Sequence, residues 1–271
     1  MAAILTTRMK SKVLVGTAAF ALVACATTSG PVGAQAPGSA ITQAEAQQGA
    51  QYHQQFVQEF GGALTGSQAA YVEQVGKNIA VQSGLANSQS AFTVTLLNSS
   101  VNNAFAVPGG YVYVTRQLVG LMNNEAELAG VLGHEVGHVA ARHSAARQRT
   151  AQRNSILGAI GSVLSGVLLG DSGLGGRGQQ IPSAVPQLAT LKYSRSQETE
   201  ADRLGIQYLR GAGYDPKAMA TVLQSLAAEN ALSAQIQGRD ASVPEWASSH
   251  PEPASRVRGA LQLAAAPRLA P

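Results

Sequence analysis

Cysteine occurs once in the 271 residues, at position 25, so no disulfide can form within one chain. Charged side chains are equally scarce, at 13% of the sequence, and their signs nearly cancel. The formal charge is +4, but residues 1–24 carry Arg8, Lys10 and Lys12 and no acid; without them 16 cations face 15 acids. A nucleic-acid partner is therefore not indicated. The apolar run Val13–Ala24 is too short to span a bilayer, and no repeat recurs at a fixed period. Aromatics make up only 5%, in a composition otherwise globular and rich in Ala and Gly. The length suffices for one sizeable domain or two small ones.

What is present begins with a processing signal. Three cations followed by a short apolar run predict a secretory signal peptide over residues 1–24. The run ends Leu22-Val23-Ala24-Cys25, which resembles a bacterial lipobox, in which the cysteine becomes the lipidated first residue of the mature protein. Ala26 follows, not Asp, and by resemblance to Gram-negative lipoproteins this implies the outer membrane. Acyl chains contribute about 0.8 kcal/mol per buried methylene, so a multiply acylated Cys25 would hold the protein firmly at a membrane. Residues 25–42, rich in Gly, Pro, Ser, Thr and Ala, read as a flexible tether.

The main domain is expected over 43–265, with a tail at 266–271. Helical periodicity marks Gln43–Phe60 and Gln68–Val81, with His53 expected on a solvated surface of the first. Phe92–Leu97 alternates, Ala104–Val107 is a short apolar run, and Tyr111–Val114 is rich in β-formers, with Pro108-Gly109-Gly110 as a turn. These predict a small, largely antiparallel sheet in a mostly helical α+β domain. An amphipathic helix is expected over Ile156–Leu168 with a glycine-rich segment after it, so that residues 155–180 read either as core helix and surface loop or as a lid. Further helices are predicted from Ser194, from Asp215-Pro216 and around Arg256 and Arg258.

Chemistry concentrates in His134-Glu135-Val136-Gly137-His138. On a helix, residues four apart project from one side, so two neutral imidazoles can share a zinc ion while the adjacent carboxylate takes a proton from water. Leu128, Val131, Leu132, Val136 and Val139 give that helix an apolar stripe, whereas Gly130, Gly133 and Gly137 each cost it about 1 kcal/mol relative to alanine. Those glycines predict that something approaches the backbone closely. A catalytic zinc usually takes three protein ligands. Position 144 is Ser, so the third histidine of a metzincin is missing, and His143, five residues past His138, is expected to point elsewhere as a solvated residue. A carboxylate from a second helix remains. Glu198 and Asp202 are four apart and share a face, which suggests Glu198 as ligand and Asp202 as partner to the far nitrogen of a ligating histidine. Glu200 should face out, towards Arg203. Taken alone, these three acids fit a solvated helix start equally well.

Four stretches occur in order: Asn103-Ala-Phe-Ala-Val-Pro-Gly-Gly110, the helix Glu127–His138, Ser194-Arg195 with Glu198-Thr-Glu-Ala-Asp202, and Ser249-His250-Pro251 with Arg256. Over roughly residues 45–262 the chain resembles metallopeptidase family 48, the HtpX-like and CAAX-protease-like gluzincins, and most of all its outer-membrane lipoprotein members, without the TPR region some of them carry. The resemblance implies a zincin-type fold and a zinc endopeptidase with one zinc ion per chain, held by His134, His138 and Glu198. Glu135 would be the base, Asp202 a supporting acid, and the region of His250 and Arg256 would stabilise the oxyanion. It also implies that His250 could instead occupy the metal in the resting enzyme. Misfolded or unassembled envelope proteins are the implied substrates, bound by strand addition to Ala104–Val107 and Tyr111–Val114. A periplasmic chaperone or assembly factor that cleaves little is the alternative, although it would not need Glu135.

Overall fold

The computed structural model describes residues 39–146, 193–237, 246, 249–250 and 253–267. The expectations attached to Cys25, to the signal and tether up to residue 38 and to the 155–180 segment lie outside the described residues. Helix α1 (Gln43–Glu59) starts where Thr42 and Glu45 close a reciprocal capping box. Helix α2 (Ser67–Ala80) leads to strands β1 (Thr93–Leu97), β2 (Ala104–Val107) and β3 (Tyr111–Thr115). A single turn, α3 (Arg116–Val119), precedes α4 (Glu125–Ala140), which carries the HExxH residues. Then come α5 (Arg195–Gly211), α6 (Ala218–Gln237) and α7 (Pro253–Ala265). Among the described residues no helix is long and apolar enough to cross a membrane.

The sheet has the order β1-β3-β2 and is mixed rather than largely antiparallel. β2 and β3 form a hairpin around Pro108–Gly110, where Gly109 and Gly110 have φ of +100° and +87°, a region open to glycine at little cost. β1 pairs with the other side of β3, in parallel, with Val94 opposite Val112. A turn signal dictates the pairing of the two strands it joins, but not which edge a third strand takes. β3 is thus internal and cannot accept a substrate strand, which corrects half of the expected binding surface. The outer edge of β1 is met by the 62–64 segment, through Leu64 N–H to the Leu96 carbonyl at 2.8 Å and Asn98 N–H to the Gly62 carbonyl at 2.8 Å. The outer edge of β2 has no strand beside it among the described residues.

Strict alternation splits the sheet's side chains between two layers. Val94, Leu96, Ala104, Ala106, Val112 and Val114 face the core shared with α2 and α4. Leu97, Phe105, Val107 and Tyr113 face α1, where Phe56 and the C-capping Phe60 are spaced four apart on one side. Phe105 stacks on Tyr113 at 4.7 Å between centroids, and each such buried ring contributes about 1.5–3 kcal/mol. His53 lies beside this stripe and is not solvated as expected. It is half-buried, with its Nδ1 3.0 Å from the Tyr113 hydroxyl.

Helix α4 is buried from Glu127 to Ala140 because elements pack on every side of it: α2, β2, α5 and α6. Gly133 and Gly137 mark the approach of α5, while Gly130 faces α6. A Cβ on Gly137 would sit 3.0 Å from the Ala201 carbonyl, and one on Gly205 would sit 3.0 Å from the His134 amide. The two backbones therefore touch, and this contact brings the acids of α5 over the histidines of α4.

Candidate metal centre

Capping sets the register of both helices. Asn124 accepts the Glu127 N–H at the start of α4, and Ser194 forms a capping box with Gln197 at the start of α5. Glu198 falls in the first turn of α5 and Asp202 one turn later, on the same side. His134, Glu135, His138 and Glu198 are each 1% exposed, and Asp202 is 3%.

Ligand atoms from four side chains converge. His134 Nε2 lies 3.0 Å from His138 Nε2 and 3.6 Å from Glu198 Oε2, and His138 Nε2 lies 3.5 Å from Glu198 Oε1. His250 Nδ1 lies 3.2 Å from His134 Nε2 and 3.1 Å from Glu198 Oε1. A tetrahedron of ligands about 2.0–2.1 Å from its centre has edges of roughly 3.3–3.4 Å, so His134, His138, Glu198 and His250 match a zinc site in size and donor type.

Proton bookkeeping makes the same point. His134 Nδ1 is 2.9 Å from Asp202 Oδ1, so it carries the proton and leaves Nε2 as a lone pair. His143 Nε2 lies 3.2 Å from the Glu200 carboxylate, so a neutral His143 is protonated there and accepts on Nδ1 from His138 Nδ1 at 2.8 Å, which leaves His138 Nε2 as a lone pair as well. Two lone pairs and a carboxylate aimed at one another need a cation between them.

Electrostatics fit this donor set. Burial drives the His138 imidazolium well below its ordinary pKa, despite Glu198 beside it. Burial also opposes charge on His134, yet the carboxylates of Asp202 and Glu198 outweigh it and raise that group. Glu198 would be raised by burial, but the surrounding imidazoles, His250 first, hold it far below the usual carboxylate range. For Asp202 the opposing partner is Arg256. Its Nε and Nη2 bind the two Asp202 oxygens at 2.8 and 2.5 Å, and Nη1 contacts Glu198. Arg256 thus turns its donors to the two acids. Burial explains this pairing: two desolvated carboxylates demand a cation.

Two neighbours went unrecognised in the sequence and a third was misplaced. Trp246 N–H donates to Glu135 Oε1 at 3.2 Å, and its ring stacks on His250 at 4.7 Å. Tyr193 stacks on His138 at 3.6 Å, and its N–H binds the Ser249 carbonyl. His143, expected to be solvated, is 4% exposed and supplies the 2.8 Å contact to His138. The helical projection failed there because α4 ends at Ala140 and Arg142 takes φ +58°, swinging the chain back under His138. Glu200 correspondingly points to His143 Nε2 at 3.2 Å, not out towards Arg203. A lone tryptophan just before Ser-Ser-His-Pro and a histidine at the end of the helix were the available signals.

Comparison with known proteins agrees with this geometry. The model of peptidase family M48 matches residues 66–264. The beta-barrel assembly-enhancing protease of Yersinia pestis is 34% identical over 198 residues, covering 72% of this chain and 38% of that protein. Its counterpart in Escherichia coli (strain K12) is 34% identical over 179 residues, or 65% and 35% of the two chains. The mitochondrial metalloendopeptidase OMA1 of Schizosaccharomyces pombe is 30% identical over 188 residues, or 69% and 50%. The chain thus spans half the length of these relatives or less. With the family match running from α2 through α7 and the paired helices holding its histidines and acids, the chain belongs to peptidase family M48.

Proposed function

We propose that the protein is a zinc endopeptidase of the bacterial cell envelope that cuts misfolded or unassembled periplasmic and outer-membrane proteins. The observation that carries this reading is the buried group His134, His138, Glu198 and His250 with Glu135 beside it. Zinc, when bound there, polarises the scissile carbonyl and makes water a stronger acid. Glu135 takes the proton of the attacking water and passes it to the departing amine. Asp202 holds His134 in the tautomer that exposes Nε2, and Arg256 keeps Asp202 and Glu198 ionised.

His250 distinguishes a resting from a working form. Its Nδ1 fills the fourth place of the donor group, and its Nε2 lies 3.4 Å from Glu135. Substrate binding would require Trp246 and His250 to withdraw, freeing both the fourth position and the base. An extended peptide would pair with the outer edge of β2 through main-chain bonds, which suits cleavage without strict sequence preference. Asn103, at the head of that strand, is 1% exposed, and its side-chain amide has no partner among the described residues.

The relatives named for beta-barrel assembly support an envelope location. Anchoring through a lipidated Cys25 is the corresponding proposal for the amino end, and the intact mass of the native protein decides it. The activity is tested by incubating purified protein with unfolded casein. Cleavage should stop with a zinc chelator and return with added zinc. Cleavage indifferent to chelation, or none at all from the zinc-loaded protein, would sink the reading.

A further inference from the structure

Each histidine of the HExxH pair has a second nitrogen to satisfy. For His134 the partner is a carboxylate, Asp202. For His138 it is another imidazole, and with Nε2 kept for the metal the contact admits one proton arrangement. If His138 Nε2 is a ligand, Nδ1 carries the proton and donates to His143 Nδ1 at 2.8 Å. His143 must then be protonated on Nε2, and that nitrogen lies 3.2 Å from Glu200 Oε2, an acceptor. The three groups form a chain in which every proton has a place.

The backbone is arranged for this contact. On a continued helix, position 143 would sit about 140° from position 138. Instead Arg142 adopts a left-handed conformation, which is disfavoured for a non-glycine residue. It is the one described non-glycine residue with positive φ. Its guanidinium is tied to Glu45 and to the Ser39 carbonyl, the latter at 2.8 Å, so contacts to the start of α1 stabilise the bend. The bend in turn places His143 beneath His138, buried among His138, Tyr193 and Glu200.

We infer that His143 and Glu200 are positioning residues that lock His138 into its metal-ligating tautomer, the counterpart on the second ligand of what Asp202 does for the first. This rests on the zinc reading above. Neither residue is among the four converging donors. They act through His138, by holding its ring in one plane and raising the basicity of Nε2.

The test is zinc affinity, measured by chelator competition on the purified protein, with cleavage as a second readout. His143→Leu should weaken zinc binding about 10–100-fold, the usual loss when such outer partners are removed. His143→Gln should recover part of it, since the amide can accept from His138 and donate to Glu200. Glu200 is 44% exposed in its side chain, so Glu200→Ala should fold normally and still weaken zinc roughly tenfold. Imidazole nitrogen NMR of the zinc-loaded protein should show His138 protonated at Nδ1 in the wild type and a mixture in the metal-free His143→Leu protein. If wild type binds zinc tightly while folded His143→Leu and Glu200→Ala bind it equally well, the positioning role is overturned and the zinc reading stands. If wild type itself binds no zinc, the zinc reading fails first and takes this inference with it.

Discussion

Removing the Arg256 guanidinium should destabilise the metal-free protein more than any other single change around the site. Arg256, Glu198 and Asp202 are 7%, 1% and 3% exposed, so solvent cannot relieve the acids once their cation is gone. Breaking a buried pair by deleting one partner costs about 3–5 kcal/mol. Arg256→Met keeps most of the side-chain volume, so that figure isolates charge from packing. For a domain of about 200 residues, 1 kcal/mol moves Tm by roughly 2–4 °C, giving an expected fall of about 6–20 °C. Two conditions should shrink the deficit. Zinc gives Glu198 a new cation, and acid lets the carboxylates go neutral. The sign is fixed by linkage: in the wild type the depressed Asp202 pKa contributes stability above its ordinary value, which is lost as pH falls. In Arg256→Met the acids rise instead, so the penalty is present at high pH and fades on acidification. Thermal melts at pH 8 and pH 5, with and without zinc, read all three effects. A metal-free Arg256→Met protein that melts within about 2 °C of wild type at pH 8 would refute the reasoning.

Three further outcomes are expected. His250→Ala should bind zinc less tightly yet cleave unfolded protein faster; full zinc affinity with lost activity would assign His250 to transition-state stabilisation. Gly137→Ala places a methyl 3.0 Å from the Ala201 carbonyl and should cost roughly 1–3 kcal/mol by calorimetry while weakening zinc binding, because α5 must move with Glu198. Glu125 accepts hydrogen bonds from Tyr214 and Tyr71 at 2.6 and 2.7 Å, which lower its pKa. Its contribution is therefore present above the ordinary carboxylate range and lost as pH falls, and Glu125→Gln should flatten that part of the stability profile.

Much of this was readable beforehand where one local rule sufficed. Helix starts at Thr42, Asn124 and Ser194 follow from capping residues, and the HExxH face follows from helical spacing. Glu198 and Asp202 were separable from Glu200 by the same spacing. The rest depended on where chains turn or meet. The parallel placement of β1 depends on the edge of the hairpin it joins. The site of His143 depends on a left-handed residue held by Glu45, 97 positions earlier. The capture of Glu135 by Trp246 joins residues 111 apart, a pairing that no periodicity describes. The glycines of α4 signalled a close approach, but only the structure identifies α5 as the element that meets Gly133 and Gly137.

The most direct measurement replaces one atom pair at the proposed base. Glu135→Gln preserves size and hydrogen bonding to Trp246 but cannot take a proton. Zinc content and casein cleavage should be measured on the same preparation beside wild type. The account predicts one zinc per chain in both proteins and a loss of cleavage of roughly 100-fold or more in the variant. Wild-type cleavage by a zinc-loaded Glu135→Gln protein would contradict it.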